Sequence, residues 1–275
     1  AEAKSLPYGC IAVQHEPCNS LLHKLLSASE VIPIGRAHLF HLRKALKTPN
    51  KLPWSAAILN HYAQSELAWW TSQLANAKEN GVPLASRFMF PTSSETTICH
   101  YGDASREIDN VESSGAGAWS VVDDVFVFIE WRWTNDDLRQ FSINVLETII
   151  KDVATRVFIG YARSQGLPAT HSLAFTDNST AEHVAERGRA STEALNVLNI
   201  ERQQWLVDNN VSQRSERVAS VDNDVADLLS RGDLGEALHF PQHHGLPVQR
   251  LHVDRIQYMT RRVFNLHGCS TTPTS

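Results

Sequence analysis

The chain has 275 residues, 42% of them hydrophobic and 20% charged, with a formal net charge of −5. That composition excludes a disordered polyelectrolyte and is enough for one large domain or two modest ones. The negative balance counts against strong autonomous binding to a polyanion, unless bound cations neutralise part of it.

The four cysteines, Cys10, Cys18, Cys99 and Cys269, are scattered with no Cys-x-x-Cys. Neither a disulfide framework nor a four-cysteine zinc site is expected, and a reducing, intracellular setting is the simpler assumption. Cys10, His15, Cys18 and His23 are zinc-compatible residue types at an unusual spacing. No basic segment followed by an apolar run opens the sequence, and the apolar run at Val125–Ile129 is far too short to span a bilayer. We expect no signal peptide and no membrane partner.

In chain order, the first 93 residues read as helical. Leu21, Leu22, Leu25 and Leu26 recur at helical spacing, as do Leu39, Leu42 and Leu46. A third helix fits His61–Glu79 and closes at Asn80-Gly81. No strand pattern is convincing there. The character then changes. Thr97–Asp103, Gly115–Val122 and Val125–Trp133 read as three antiparallel strands, the last two joined at Asp123-Asp124. Ile143–Ala162 is an amphipathic helix with Ser142 as its expected N-cap, broken by Gly166-Leu167-Pro168. A short strand at Ser172–Thr176, helices at Thr180–Arg187 and Thr192–Asp208, a strand at Arg214–Ala219 and a helix at Asp224–Ser230 follow. Beyond about residue 233 only Val253–Leu266 suggests another helix. The order implies an α/β fold with a mixed sheet flanked by helices, preceded by a small helical domain. The expected division is 1–93, 94–232 and a C-terminal tail, 233–275.

Four acidic residues carry the chemistry. Asp103 and Asp177 each end a strand, and neighbouring strands lie about 4.8 Å apart, so paired strands would let these carboxylates share a divalent ion. Glu147 lies on the helix side that carries Ile143, Ile150 and Ala154. A carboxylate among apolar groups is costly unless compensated, and a metal ion compensates it. Its alternative is a flank position with the carboxylate reaching water. Asp227 opens the last helix, where acids also favour the positive dipole end. Together they fit a two-metal phosphodiesterase site, which holds two ions about 3.5–4 Å apart. Hard carboxylate oxygens suit Mg²⁺ or Mn²⁺.

These residues stand in strings that resemble a known family. Ile143-Asn144-Val145-Leu146-Glu147, Thr176-Asp177-Asn178-Ser179-Thr180-Ala181 and Asn223 through Arg231 are similar to the second, third and fourth motifs of ribonuclease H domains in DIRS-like retroelement reverse transcriptases. Asp103-Ala104-Ser105, followed by Gly115-Ala116-Gly117-Ala118-Trp119, resembles the first strand and hairpin. Leu21–Leu46 and Glu66-Leu67-Ala68-Trp69-Trp70 look like the thumb/connection segment of such enzymes, and no Tyr-x-Asp-Asp of a polymerase palm is present.

The resemblance implies a ribonuclease H-like fold and two-metal cleavage of the RNA strand of an RNA–DNA hybrid. It implies Asp103, Glu147, Asp177 and Asp227 as catalytic metal ligands for two ions, Mg²⁺ or Mn²⁺, and a polymerase domain as a partner upstream. Reading of the 2′-hydroxyl is expected at Ala104, Ser105 and Asn178, and phosphate contacts at Arg187, Arg189 and Ser191, where a helix N-terminus follows and the alternative is a plain turn with Ser191 as N-cap. The sequence departs from the family in a longer, more charged stretch at Arg106–Ser114. It departs again in the loop Ala219-Ser220-Val221-Asp222, which lacks a histidine. The competing reading is a catalytically silent scaffold of the same fold that supports nucleic-acid binding. Exonucleases of the superfold want an acid where Ser105 stands, and integrases end on a helical Glu where this chain has Asp227.

Overall fold

The computed structural model describes residues 7–32, 34–47, 56–81, 95–107, 110–177, 190 and 192–253. The expected helices at Thr180–Arg187 and Val253–Leu266 fall on residues outside these, wholly or but for one position. The chain forms two compact units. One comprises residues 1–86 with 188–204, and the other 87–187 with 205–275.

In the first unit, α1 (His15–Ala28), α2 (Phe40–Lys47) and α3 (His61–Asn80) gather their apolar sides into one core with Leu22, Leu25, Leu39, Leu42, Leu46 and Trp70. Glu66 is buried in α3 for a reason visible in its partners. Its carboxylate accepts from the backbone N–H groups of His41 and Leu42, both at 2.9 Å, and so caps the first turn of α2. The helical reading missed a pair of short antiparallel strands, β1 (Ile11–Gln14) and β2 (Ala56–Leu59). The first part of α6 (Glu193–Asp208) belongs to this unit, where Asn196 donates to Ala37 O at 3.1 Å. Cys18 is buried in the core and His15 contacts Leu46 O, so the Cys10/His15/Cys18/His23 set is not gathered into a metal site.

The second unit holds a six-stranded mixed sheet. In chain order its strands are β3 (Thr96–Ala104), β4 (Gly115–Val122), β5 (Val125–Arg132), β6 (Ala169–Thr176), β7 (Ser212–Arg217) and β8 (Val248–Arg250). Across the sheet they run β7-β6-β3-β4-β5-β8. β4 is antiparallel to β3 and β5, while β6, β7 and β8 pair parallel to their neighbours. Asp123 and Asp124 both take positive φ, 51° and 60°, as a two-residue hairpin turn requires. After the short α4 (Asn135–Gln140), α5 (Ile143–Ser164) packs on one side, with Ile150 near Gly102. α7 (Asp224–Arg231) packs close on β4 at Gly117. Three meander strands, a crossover helix, two parallel strands and a final helix give the ribonuclease H-like fold.

Residues 234–250 are more structured than their irregular sequence suggests. Short helices at Leu234–Ala237 and His239–His243 bring Phe240 against Trp119 and Phe126, and β8 then extends the sheet beyond β5. Trp133 is core and meets Trp131 edge to face.

Candidate metal centre

β3 and β6 are adjacent and parallel, with Tyr101 opposite Phe175. Two residues further along each strand come Asp103 and Asp177, so parity places both carboxylates on the side that carries the two aromatic rings. Glu147, in the second turn of α5, reaches the same strand ends. Ligand oxygens of Asp103, Glu147 and Asp177 all lie within 4.8 Å of one another. Asp103 and Glu147 are 7% and 5% exposed, whereas Asp177 is half-buried.

The first two carboxylates are poorly compensated by protein groups. Glu147 Oε1 accepts a 3.3 Å bond from the Ala104 N–H, and Oε2 is buried without a hydrogen-bond partner. Asp103 Oδ2 accepts from Ser230 Oγ at 2.7 Å. Burial pushes the Asp103 carboxyl up to about 6; the Ser230 bond opposes this and the charges of Asp227 and Asp177 add to it. Burial, and then the Asp103 charge, hold Glu147 well above the ordinary carboxylate range. An orphaned, buried carboxylate oxygen facing two further acids is the environment that a hard divalent cation relieves. The donor set, all carboxylate oxygen, fits Mg²⁺ or Mn²⁺.

Asp227 stands apart from this group. It lies on α7 with its side chain 43% exposed, and both its oxygens accept from Arg231 Nε, at 2.9 and 3.0 Å. Its charge is still felt at Asp103. α7 owes its place to Asn223, whose Nδ2 reaches Gly102 O at 3.5 Å, and to Arg132, which donates to the carbonyls of Leu229 and Ser230. The loop expected to lack a family histidine supplies Ser220, whose hydroxyl donates to Asp177 Oδ2 at 2.9 Å.

Of the expected substrate contacts, Ala104 and Ser105 are described. Ser105 is committed internally: its hydroxyl lies within donating distance of Ser230 O at 2.8 Å and Ser113 O at 2.9 Å, alternative acceptors for its one hydrogen, and it accepts from the Gly115 N–H. Asn178, Arg187, Arg189 and Ser191 lie outside the described residues. Sequence reasoning missed Ser230 and Ser220. Their signal was present only as hydroxyls inside or beside the last motif, one turn from a carboxylate.

No protein-family model matches the chain, and no curated protein matches it. Solved structures do. A ribonuclease H1 from the halophilic archaeon Halobacterium salinarum matches with 15% identity and a TM-score of 0.35, covering 51% of this chain and 99% of that one. The N-terminal ribonuclease H domain of a Mycobacterium tuberculosis protein, solved as a maltose-binding-protein fusion, matches with 16% identity and a TM-score of 0.35, covering 50% and 98%. A foamy viral protease-reverse transcriptase, solved in complex with an RNA/DNA hybrid, matches with 14% identity and a TM-score of 0.30. That match covers 77% of this chain and 32% of the viral one. Likeness at this level assigns no activity to the chain. Among the described residues, no helix is long and apolar enough to cross a membrane.

Proposed function

We propose that this chain is a metal-dependent endoribonuclease that cleaves the RNA strand of RNA–DNA hybrids, as part of a DIRS-like retroelement reverse transcriptase. The observation that carries the reading is the meeting of Asp103, Glu147 and Asp177 at adjacent strand ends, with Glu147 Oε2 buried and unpartnered. Asp103, Glu147 and Asp177 would hold one ion, and Asp227 with Asp103 a second. When bound, the two ions would neutralise charge developing on the attacking and leaving oxygens of the phosphodiester.

The chain's own groups have distinct tasks. Glu147, whose carboxyl burial holds above the ordinary range, would serve as a ligand in its ionised form. Ser230 and Ser220 fix the orientation of Asp103 and Asp177 by donating to one oxygen of each. Metal chemistry alone does not tell RNA from DNA, so the 2′-hydroxyl must be read by polar groups beside the ligands. We assign this to the backbone at Ala104-Ser105 and to Asn178. The DNA strand's phosphates fall to Arg187, Arg189 and Ser191. Residues 1–93 act as a thumb/connection-like segment that positions the hybrid, downstream of a polymerase domain.

The test is cleavage of a labelled RNA–DNA hybrid with Mg²⁺ or Mn²⁺, beside single-stranded RNA, duplex RNA and duplex DNA. We expect the hybrid alone to be cut, and a run of 2′-deoxy positions within its RNA strand to be spared. Asp177→Asn should abolish cutting and most of the thermal stabilisation given by Mn²⁺, because the ion binds only the folded site. An inert wild-type protein that still binds the hybrid would favour the silent scaffold, and efficient cutting inside the deoxy run would indicate a general nuclease.

A further inference from the structure

A cation already resides at the rim of the acidic cluster. Arg231, one helical turn beyond Asp227, engages both oxygens of that carboxylate through Nε. Its guanidinium also reaches Glu107 Oε1 at 3.4 Å, from a segment more than a hundred residues away in sequence. The Asp103 charge acts on it as well, together with the pair to Asp227. Asp227 and Arg231 are each a little under half exposed, so the pair can open without burying an uncompensated charge.

An Asp four residues before an Arg is an ordinary helix pair, worth a few tenths of a kcal/mol. Two observations set this one apart. The guanidinium is also met by Glu107, in the loop after β3, at 3.4 Å. The carboxylate it occupies is the one acid of the expected four whose oxygens do not join the cluster.

We propose that Arg231 is a positioning residue that withholds Asp227 from the second divalent ion, so that ion and guanidinium compete for one carboxylate. Among the described residues no guanidinium or ammonium pairs with Asp103, Glu147 or Asp177, which would hold the first ion. The second site is therefore weaker than the first, and its occupancy depends on ionic strength through the strength of the pair it must displace. This inference rests on the two-ion reading of the site.

The test is calorimetric titration of the full chain with Mn²⁺, without substrate. Wild type should show a tight and a weak event. Arg231→Gln should tighten the weak event about two- to fivefold, the range that a partly exposed ion pair is worth. Arg231→Lys, which keeps the charge but loses the fork, should fall between. The tight event should move by much less, through the weaker influence of Arg231 on Asp103, and high salt should shrink the difference. A general field effect would shift both events, whereas competition for Asp227 disappears once that carboxylate is gone. Asp227→Asn should therefore remove the weak event, and adding Arg231→Gln to it should change nothing. An unchanged weak event in Arg231→Gln, or equal shifts in both events, would overturn the competition while leaving the metal centre intact. No Mn²⁺ binding at all, or a tight event indifferent to Asp177→Asn, would overturn the metal-centre reading and this inference with it.

Discussion

Glu147 and Asp103 are a buried pair of carboxylates with few protein groups to compensate their charge. Ordinary carboxyls titrate near pH 4. Here burial raises Asp103 to about 6 and Glu147 well above its usual range. The metal-free folded state thus holds these protons more tightly than the unfolded chain does. The sign follows: the stabilisation is fully present below the unfolded values and is lost as pH rises through about 6 and beyond. In a chelator, the melting temperature should fall as pH rises from about 5 to 8 by more than in Glu147→Gln, whose amide cannot ionise. Saturating Mn²⁺ should reverse the loss in wild type at the upper end of that range. Parallel pH profiles for the two proteins in chelator would show that Glu147 is not a source of the dependence.

At the scale of elements, the site depends on how closely α7 lies on β4. A Cβ built at Gly117 would stand 2.6 Å from the Ser230 backbone nitrogen, and Ser230 is the residue that donates to Asp103. Gly117→Ala should force the helix away, cost about 1–3 kcal/mol by overpacking and weaken the Ser230 bond. Thermal denaturation and Mn²⁺ affinity should both fall; loss of stability alone would mean that the helix shifts without disturbing Asp103. Elements of this kind were partly legible in the sequence. The meander and α5 declared themselves through β-rich runs and a long apolar period, and the Asp123-Asp124 turn through its place between two such runs. β1 and β2 did not, because four-residue strands forty residues apart carry too short a pattern for alternation to show. β8 is three exposed residues held by pairing and by the Phe240 anchor, which no local signal reveals. The two Asp residues and Glu147 stood out as acids in apolar surroundings. The Asp227–Arg231 pair was visible only as helical spacing, which does not say whether an acid serves an ion or an arginine.

At the scale of the whole chain, sequence order and compactness divide the molecule differently. The character of the sequence changes near residue 93, yet residues 188–204 group with the first 86. In that returning segment Leu195, Asn196 and Leu198 are buried, Asn196 donates to Ala37 O, and Glu193 lies 3.5 Å from His41 Nε2. Removing residues 1–93 would strip those partners away. A fragment beginning at residue 94 should therefore retain the sheet but become open to protease within residues 190–204, since local stability follows local burial. Charge argues for a second effect. Residues 31–65 contain Arg36, Arg43, Lys44, Lys47 and Lys51 and no acid, in a chain whose net charge is −5. If this stretch neutralises hybrid phosphates, its loss should weaken hybrid binding and flatten the dependence of binding on salt, because fewer counterions are released. The cleavage rate at saturating hybrid should fall by less than the affinity, since the carboxylates lie in the other unit. The comparison is decided by measuring affinity across a salt series and single-turnover cleavage for both proteins. An unchanged salt slope would show that the basic stretch does not meet the nucleic acid. A folded fragment that binds hybrid fully but cuts nothing would show that the first unit supplies chemistry rather than position.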